Sequence, residues 1–218
     1  MNAAPAAESP TTGRDLERLV AGAAIAFPLV YFVSDLVEVA QGDFSTFRLT
    51  LTYTGEAGFP LFVLGLLAIQ HQEIGRWGIL GGVAYAYSFV FFTSTVVWAI
   101  VAGTPTWEAL NEDLGWWLTI HGAVMVVGGV AFGLGVAKAG FFPRWTGYTL
   151  AVGVLLVAAA SGAGNIERAL ASALPAAAFI GMGIHLLRRR SVSSPMIRIP
   201  SELDMTASFT GTRPRRAR

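Results

Sequence analysis

Residues 77–102 read WGILGGVAYAYSFVFFTSTVVWAIVA, a run without a single charged side chain. A helix needs about 20 predominantly apolar residues to cross the hydrocarbon core of a bilayer. This run is therefore long enough to span a membrane, and apolar runs of similar character lie on both sides of it. The predicted spans are Leu16–Val39, Leu51–Gln70, Trp77–Ala102, Leu114–Ala137, Trp145–Gly162 and Leu170–Leu187.

The composition of the whole chain excludes an ordinary soluble domain. Of the 218 residues, 54% are hydrophobic and 13% are charged, and the mean hydropathy is +0.57. A soluble domain averages about 25% charged residues, and a disordered chain needs low hydrophobicity with high net charge. Continuous apolar runs also differ from the alternating pattern of strands in a membrane barrel. We expect an all-α, multi-pass membrane bundle of six transmembrane helices.

The distribution of positive charge predicts how the bundle is oriented. Short cytoplasmic segments of membrane proteins carry an excess of Lys and Arg. With the N-terminus inside, the opposite connections carry only Arg48 and Arg168. The predicted cytoplasmic segments carry Arg14, Arg18, Arg76, Lys138, Arg144, Arg188, Arg189 and Arg190. Both termini are then cytoplasmic, with disordered segments at 1–15 and 188–218 flanking a transmembrane domain at 16–187.

Several classes of functional site are excluded by what the sequence lacks. There is no cysteine, which rules out disulfides, thiolate metal sites and cysteine nucleophiles. The three histidines have no paired-ligand spacing, and Ser161 lacks the strand–turn–helix setting of a nucleophile elbow. No phosphate loop or nucleic-acid motif is present. We expect no metal, no cofactor and no nucleic-acid partner, and a lipophilic small molecule as ligand beside the membrane lipids.

The acidic residues inside the spans are the first candidates for a functional site. An ionisable side chain at mid-bilayer costs at least about 2.5–3.5 kcal/mol, so it usually faces the bundle interior and has a function. Asp35 and Glu38 share one face near the outer end of the first span, because they are three residues apart. Glu56 lies inside the second span. Glu38 has an alternative interpretation, in which it lies in the headgroup region.

Aromatic residues and a histidine occur at the same outer depth. Because Trp117, His121 and Met125 recur at intervals of four, they share one helix face. An aromatic belt at the interface is the default role of tryptophan, and His121 is equally well interpreted as a hydrogen-bonded packing residue. The residues predicted to line a pocket with the acids are Glu38, Tyr53, Tyr87, Trp98, Trp117 and His121.

Acids and aromatic rings in a water-poor bundle suggest carbocation chemistry. Burial favours the neutral form of a carboxyl group, which can then act as a general acid. Aromatic faces stabilise a desolvated cation by about 2 kcal/mol or more. These are the requirements for cyclising a polyene that is first protonated. Glu56 is the predicted general acid, and Asp35 the residue that polarises it or accepts the final proton.

The segment YTGEAGFP (Tyr53–Pro60), which places an acid in the second span of a small bundle, resembles the membrane-bound terpene cyclases. These include actinobacterial enzymes that cyclise farnesylated indoles in drimentine and xiamycin pathways and, more distantly, fungal meroterpenoid cyclases. The resemblance covers roughly residues 15–188. It implies a terpene cyclase of isomerase or lyase type in terpenoid and antibiotic biosynthesis, without redox chemistry, that works after a prenyltransferase.

The resemblance also bears on the second acid and on the source. Fungal members are thought to use a second carboxylate in the last helix, whereas the last span here has none and Glu167 only precedes it. The partner acid is then Asp35 or Glu38. A composition rich in Ala, Gly, Val and Arg with a single lysine suggests a GC-rich, actinobacterial genome, and hence a bacterial inner membrane.

A non-enzymatic membrane protein is the alternative. This alternative is either a small proton-coupled transporter or an accessory subunit, and it would use Asp35 and Glu56 to bind protons or cations. A carrier needs a polar route to both sides of the membrane, and the inner half of the predicted spans is almost wholly apolar. This comparison favours chemistry over conduction and leaves a structural subunit open.

Overall fold

The computed structural model describes residues 10–42 and 44–192, and within these ranges all regular structure is helical. Six of the helices are long and apolar enough to span a membrane. The predicted all-α membrane bundle with six spans is therefore confirmed. The α-helices are α1 (Pro10–Gln41), α2 (Thr46–Ile69), α3 (Gly75–Ala102), α4 (Trp107–Leu114), α5 (Trp116–Ala139), α6 (Arg144–Ala159) and α7 (Asn165–Val192).

The six long helices form a closed ring. In order around the ring they are α1, α2, α3, α5, α6 and α7, and α7 packs back against α1. We call the end of the ring where α1, α3 and α6 finish the outer end, following the orientation predicted from the charges. Buried Phe62, Leu66, Phe132, Val136 and Met182 fill the inner half of the ring. The inner half of the ring therefore holds a hydrophobic core.

Glycines allow the helices to approach each other closely in the inner half. A Cβ atom added at Gly133 of α5 would lie 2.6 Å from the carbonyl oxygen of Gly147 in α6 and 2.9 Å from the amide nitrogen of Ala151. The two backbones are thus in direct contact. Small residues are typical of such contacts between membrane helices, because they let the backbones come together.

We expect Gly133→Ala to destabilise the bundle by about 1–3 kcal/mol, because a methyl group there must push α5 away from α6. The measurement is thermal unfolding in detergent, followed by circular dichroism. Gly22→Ala is the matched control, since a Cβ atom at Gly22 meets nothing within 4 Å. It should be neutral or stabilising by up to about 1 kcal/mol. Equal unfolding temperatures for the two variants would contradict the close contact.

Several boundaries differ from the sequence prediction. Helix α2 begins at Thr46 rather than Leu51, and α7 begins at Asn165 rather than Leu170. Helix α1 begins at Pro10 rather than Leu16, and α7 continues to Val192 beyond Leu187. The remainder of the predicted disordered ends, 1–9 and 193–218, lies outside the described residues. The fourth span begins at Trp116 rather than Leu114, because Gly115, with φ of +49°, separates α5 from the short helix α4. Helix α4 was not predicted because its eight residues are too short and polar to give a membrane signal.

Candidate functional site

The outer half of the ring encloses a cavity of about 770 Å³ that is lined by all seven α-helices. Helix α4 closes part of its outer end. There Leu110 packs in a small apolar cluster with Leu49 of α2, Val96 of α3 and Leu118 of α5. Trp107, which sequence analysis did not place in the pocket, also lines the cavity.

The three predicted acids come together in this cavity. Asp35 and Glu38 line it from α1, and Glu56 lines it from the neighbouring α2. Gly55 makes this possible, because a Cβ atom at that position would lie 2.8–2.9 Å from the Cα, Cβ and nitrogen atoms of Tyr31. Helices α1 and α2 are therefore in backbone contact directly beside Glu56.

Both carboxylate oxygens of Glu38 are occupied by arginines. Arg48 of α2 donates to Oε2 and Arg168 of α7 donates to Oε1, each at 2.5 Å. Arg168 also donates to Asn165 Oδ1 at 2.7 Å. Sequence analysis assigned both arginines to outer connections, but they lie inside α2 and α7. Glu38 thus ties three helices together, with an arginine on each of its two oxygens.

Asp35 lies one turn further into the bundle and has a neutral partner. The hydroxyl of Ser172 in α7 donates to Asp35 Oδ2 at 2.5 Å. The carboxyl groups of Asp35 and Glu56 and the guanidinium of Arg48 are close enough to interact electrostatically. Of the two candidates for the second acid, Asp35 is the one that is not tied to an arginine.

Among the three acids of the cavity, Glu56 has the fewest polar contacts. It is only 6% exposed, and its Oε2 has no hydrogen-bond partner among the described residues. Burying a polar group without a hydrogen bond is costly, and burying an unpaired charge is costlier still. Buried unsatisfied groups are uncommon in folded proteins, and a catalytic role is one of the explanations for them.

Below the acids, aromatic side chains form the bottom of the cavity. We call Tyr31, Phe59, Tyr85 and Phe89 the aromatic floor, since all four line the cavity. Phe59 and Phe89 stack with ring centroids 4.1 Å apart, and the edge of Tyr31 meets Phe59 at 5.9 Å. Tyr31 could have been predicted from the sequence as a pocket residue, because it lies one helical turn before Asp35. Phe59 and Phe89 could not have been predicted as pocket residues, because phenylalanine is common throughout the spans.

Four of the aromatic residues that were predicted to line the pocket lie elsewhere in the structure. Tyr53, Tyr87, Trp98 and Trp117 are 42% to 55% exposed, and the cavity lining does not include them. They lie on outward faces of their helices. For Trp98 and Trp117 this position fits the aromatic belt, the alternative interpretation.

His121 is also separated from the cavity. It is 8% exposed and does not belong to the cavity lining. Its ring stacks on Phe91 of α3 at 3.6 Å, and its Nδ1 lies 2.9 Å from the carbonyl oxygen of Trp117. His121 is thus a hydrogen-bonded packing residue between α3 and α5, which was the second interpretation of this histidine.

Within the described residues, no group of three or more His, Cys, Asp or Glu side chains could hold a metal ion. The polar groups of the cavity include Asp35, Glu56, the Glu38 ion pairs and several neutral side chains, namely Tyr31, Thr52, Tyr85, Thr95, Asn111, Thr119, Ser161 and Ser172. Comparison with protein-family models, curated proteins and solved structures gives no significant match. The function has to be inferred from the cavity itself.

Proposed function

We propose that the protein is an integral membrane terpene cyclase that cyclises a farnesylated indole or a similar isoprenoid after protonating it. The observation that carries the proposal is Glu56, a buried acid with an unpartnered oxygen, beside an aromatic floor in an apolar cavity. The proposal includes a role in secondary metabolism and a location in a bacterial inner membrane.

The reaction begins at Glu56. Its carboxyl proton is transferred to the less substituted CH carbon of the distal double bond, where a C–H bond forms, and a tertiary cation remains on the carbon that carries the two methyl groups. An internal double bond supplies the electron pair that closes the ring and moves the cation along the chain. Loss of a proton from a neighbouring carbon ends the sequence and restores a double bond. The product is an isomer of the substrate, and no oxidant or reductant is consumed.

Asp35 serves as the second carboxyl. In its ionised form it accepts the final proton, or it polarises Glu56 before the first transfer. The hydrogen bond from Ser172 Oγ fixes its orientation. Glu38 is less suited to this role, because its two oxygens already accept hydrogen bonds from Arg48 and Arg168. The Glu38 carboxylate also offsets one of the two arginine charges, which reduces the repulsion that a cation in the cavity would meet.

The aromatic floor stabilises the cation as it moves along the chain. An aromatic face is worth about 2 kcal/mol or more to a desolvated cation. Phe59 and Phe89 stack, so the two rings form one extended surface. An apolar cavity also excludes water, which would otherwise quench the cation. A volume of about 770 Å³ lies within the roughly 300–1,000 Å³ of pockets that hold drug-sized ligands.

The transporter alternative lacks support from the inner half of the ring. Below the aromatic floor, Phe62, Leu66 and Phe132 are almost completely buried in the hydrophobic core. A carrier needs its site to become accessible from both sides of the membrane. A cavity in the outer half of the bundle above a packed hydrophobic core suits a reaction better than transport.

The test is incubation of the protein in liposomes with farnesyl-indoles, prepared in heavy water and analysed by mass spectrometry. We expect a cyclic isomer that carries one deuterium, because the initiating proton exchanges with solvent between turnovers. Liposomes without protein are the control. No turnover of any farnesylated or geranylgeranylated aromatic, together with proton-coupled cation uptake that depends on Asp35, would support the transporter instead.

A further inference from the structure

Helix α5 forms a wall of the cavity that also reaches the outer surface of the protein. Thr119, Ala123 and Val127 line the cavity, yet all three are exposed, Val127 by 70%. They recur every four residues and so form one stripe along α5. By contrast, the lining residues of α1, α2, α3 and α7 are buried or half-buried. The stripe therefore marks an edge where the cavity opens.

The helix facing this stripe is α6, and the two helices separate towards the outer end. Near the inner end their backbones touch at Gly133 and Gly147. Further out, a Cβ atom at Gly129 would meet the side chain of Val154 at 2.9 Å, and one at Gly122 would meet nothing within 4 Å. Helix α6 then ends at Ala159. The spacing between α5 and α6 thus widens into an opening.

The opening lies at a depth where lipid surrounds the protein. From Thr119 to Val127 the helix rises about 12 Å at 1.5 Å per residue, which covers the outer half of a hydrocarbon core about 30 Å thick. Its rim is mainly apolar, with Ala123 and Val127 on α5 and Val157 and Ala158 on α6. It therefore faces the bilayer, and a ligand dissolved in lipid reaches it without crossing water.

The acids lie on the far side of the cavity from this opening. In the ring order α1, α2, α3, α5, α6, α7, the gap between α5 and α6 is diametrically opposite the contact between α1 and α2. Asp35 and Glu56 line the cavity from α1 and α2. A chain that enters between α5 and α6 therefore meets these acids with its leading end.

We propose that the α5–α6 opening admits the prenyl chain of a bilayer-dissolved isoprenoid, distal double bond first, and leaves its aromatic head at the rim. The identity of the ligand rests on the proposed function. A prenyl chain is favoured over a lipid acyl chain because its terminal double bond accepts a hydrogen bond or a proton from Glu56. The end of a saturated chain offers no such acceptor.

The experiment uses farnesol with a photoreactive diazirine at its distal end, in liposomes that contain the full chain. Mass spectrometry should locate the label in residues 31–38 of α1 and 52–59 of α2. These two segments form the side of the cavity opposite the opening, which we call the far wall. Gly122→Phe should lower this labelling about tenfold, equivalent to roughly 1.4 kcal/mol of lost binding, because the ring fills the opening. Ile120→Phe, which adds bulk on an exposed part of α5 outside the cavity lining, should not lower it.

Labelling that is unchanged in Gly122→Phe would overturn the proposed route, and so would labelling confined to the exterior. If Gly122→Phe fails to fold, Ala123→Phe on the same rim takes its place. Equal far-wall labelling by a phosphatidylcholine with a diazirine at its acyl terminus would overturn the choice of ligand. Because labelling needs no turnover, far-wall labelling without cyclisation would reject the cyclase and keep the route. Cyclisation at full rate in Gly122→Phe would reject the route and keep the cyclase.

Discussion

Glu56→Gln should lower the cyclisation rate by about 10²–10⁴-fold, the usual contribution of a positioned general acid. Glutamine preserves the size and shape of the side chain, but its amide is far too weak an acid to protonate a double bond. Little structure is lost with it, since Glu56 Oε2 has no hydrogen-bond partner among the described residues. The measurement is the initial rate of product formation in liposomes, with unfolding followed in parallel to show that the variant is folded.

Glu112→Gln is the matched control for Glu56→Gln. Glu112 is an exposed acid of α4 that does not line the cavity, so both rate and stability should remain unchanged. A fully active Glu56→Gln variant would show that another group supplies the proton. If Asp35→Asn were then inactive, the two carboxyls would have the opposite roles.

Glu38→Gln should give the largest loss of stability among single substitutions at the outer end. Removing one partner of a buried ion pair costs about 3–5 kcal/mol, because the remaining charge stays buried without compensation. Here one carboxylate serves two arginines. We expect a loss of stability near the lower end of this range, about 3 kcal/mol, because the Arg168 side chain is still 21% exposed to solvent. Unfolding in mixed micelles measures the change.

A double-mutant cycle separates the ion pair from other effects of the substitution. Arg168→Gln alone should also destabilise the bundle. The variant with both substitutions should lose less free energy of unfolding than the two single variants lose together. The reason is that Arg168→Gln removes a charge that Glu38→Gln left unpaired. Strict additivity, or an unchanged unfolding midpoint in Glu38→Gln, would show that the ion pair does not hold α1, α2 and α7 together.

The amino-acid sequence by itself determined the number of spans, their approximate ends and the depth of the acids. These are local properties. The thickness of the bilayer fixes how long an apolar run must be, and the cost of a charge in hydrocarbon makes Asp35 and Glu56 conspicuous. The shared face of Asp35 and Glu38 also follows from helix geometry alone.

Only the tertiary structure decided which side of each helix faces the cavity. In a soluble protein, polar residues mark the outer face of a helix, but lipid is as apolar as a protein core. The apolar pattern therefore could not show that Tyr53 and Tyr87 face outward while Phe59 and Phe89 line the cavity. The opening between α5 and α6 was likewise invisible in the sequence, because it depends on how two consecutive helices diverge in space. The pairing of Glu38 with Arg168 was invisible because the two residues are 130 positions apart and meet only through the contact of α1 with α7.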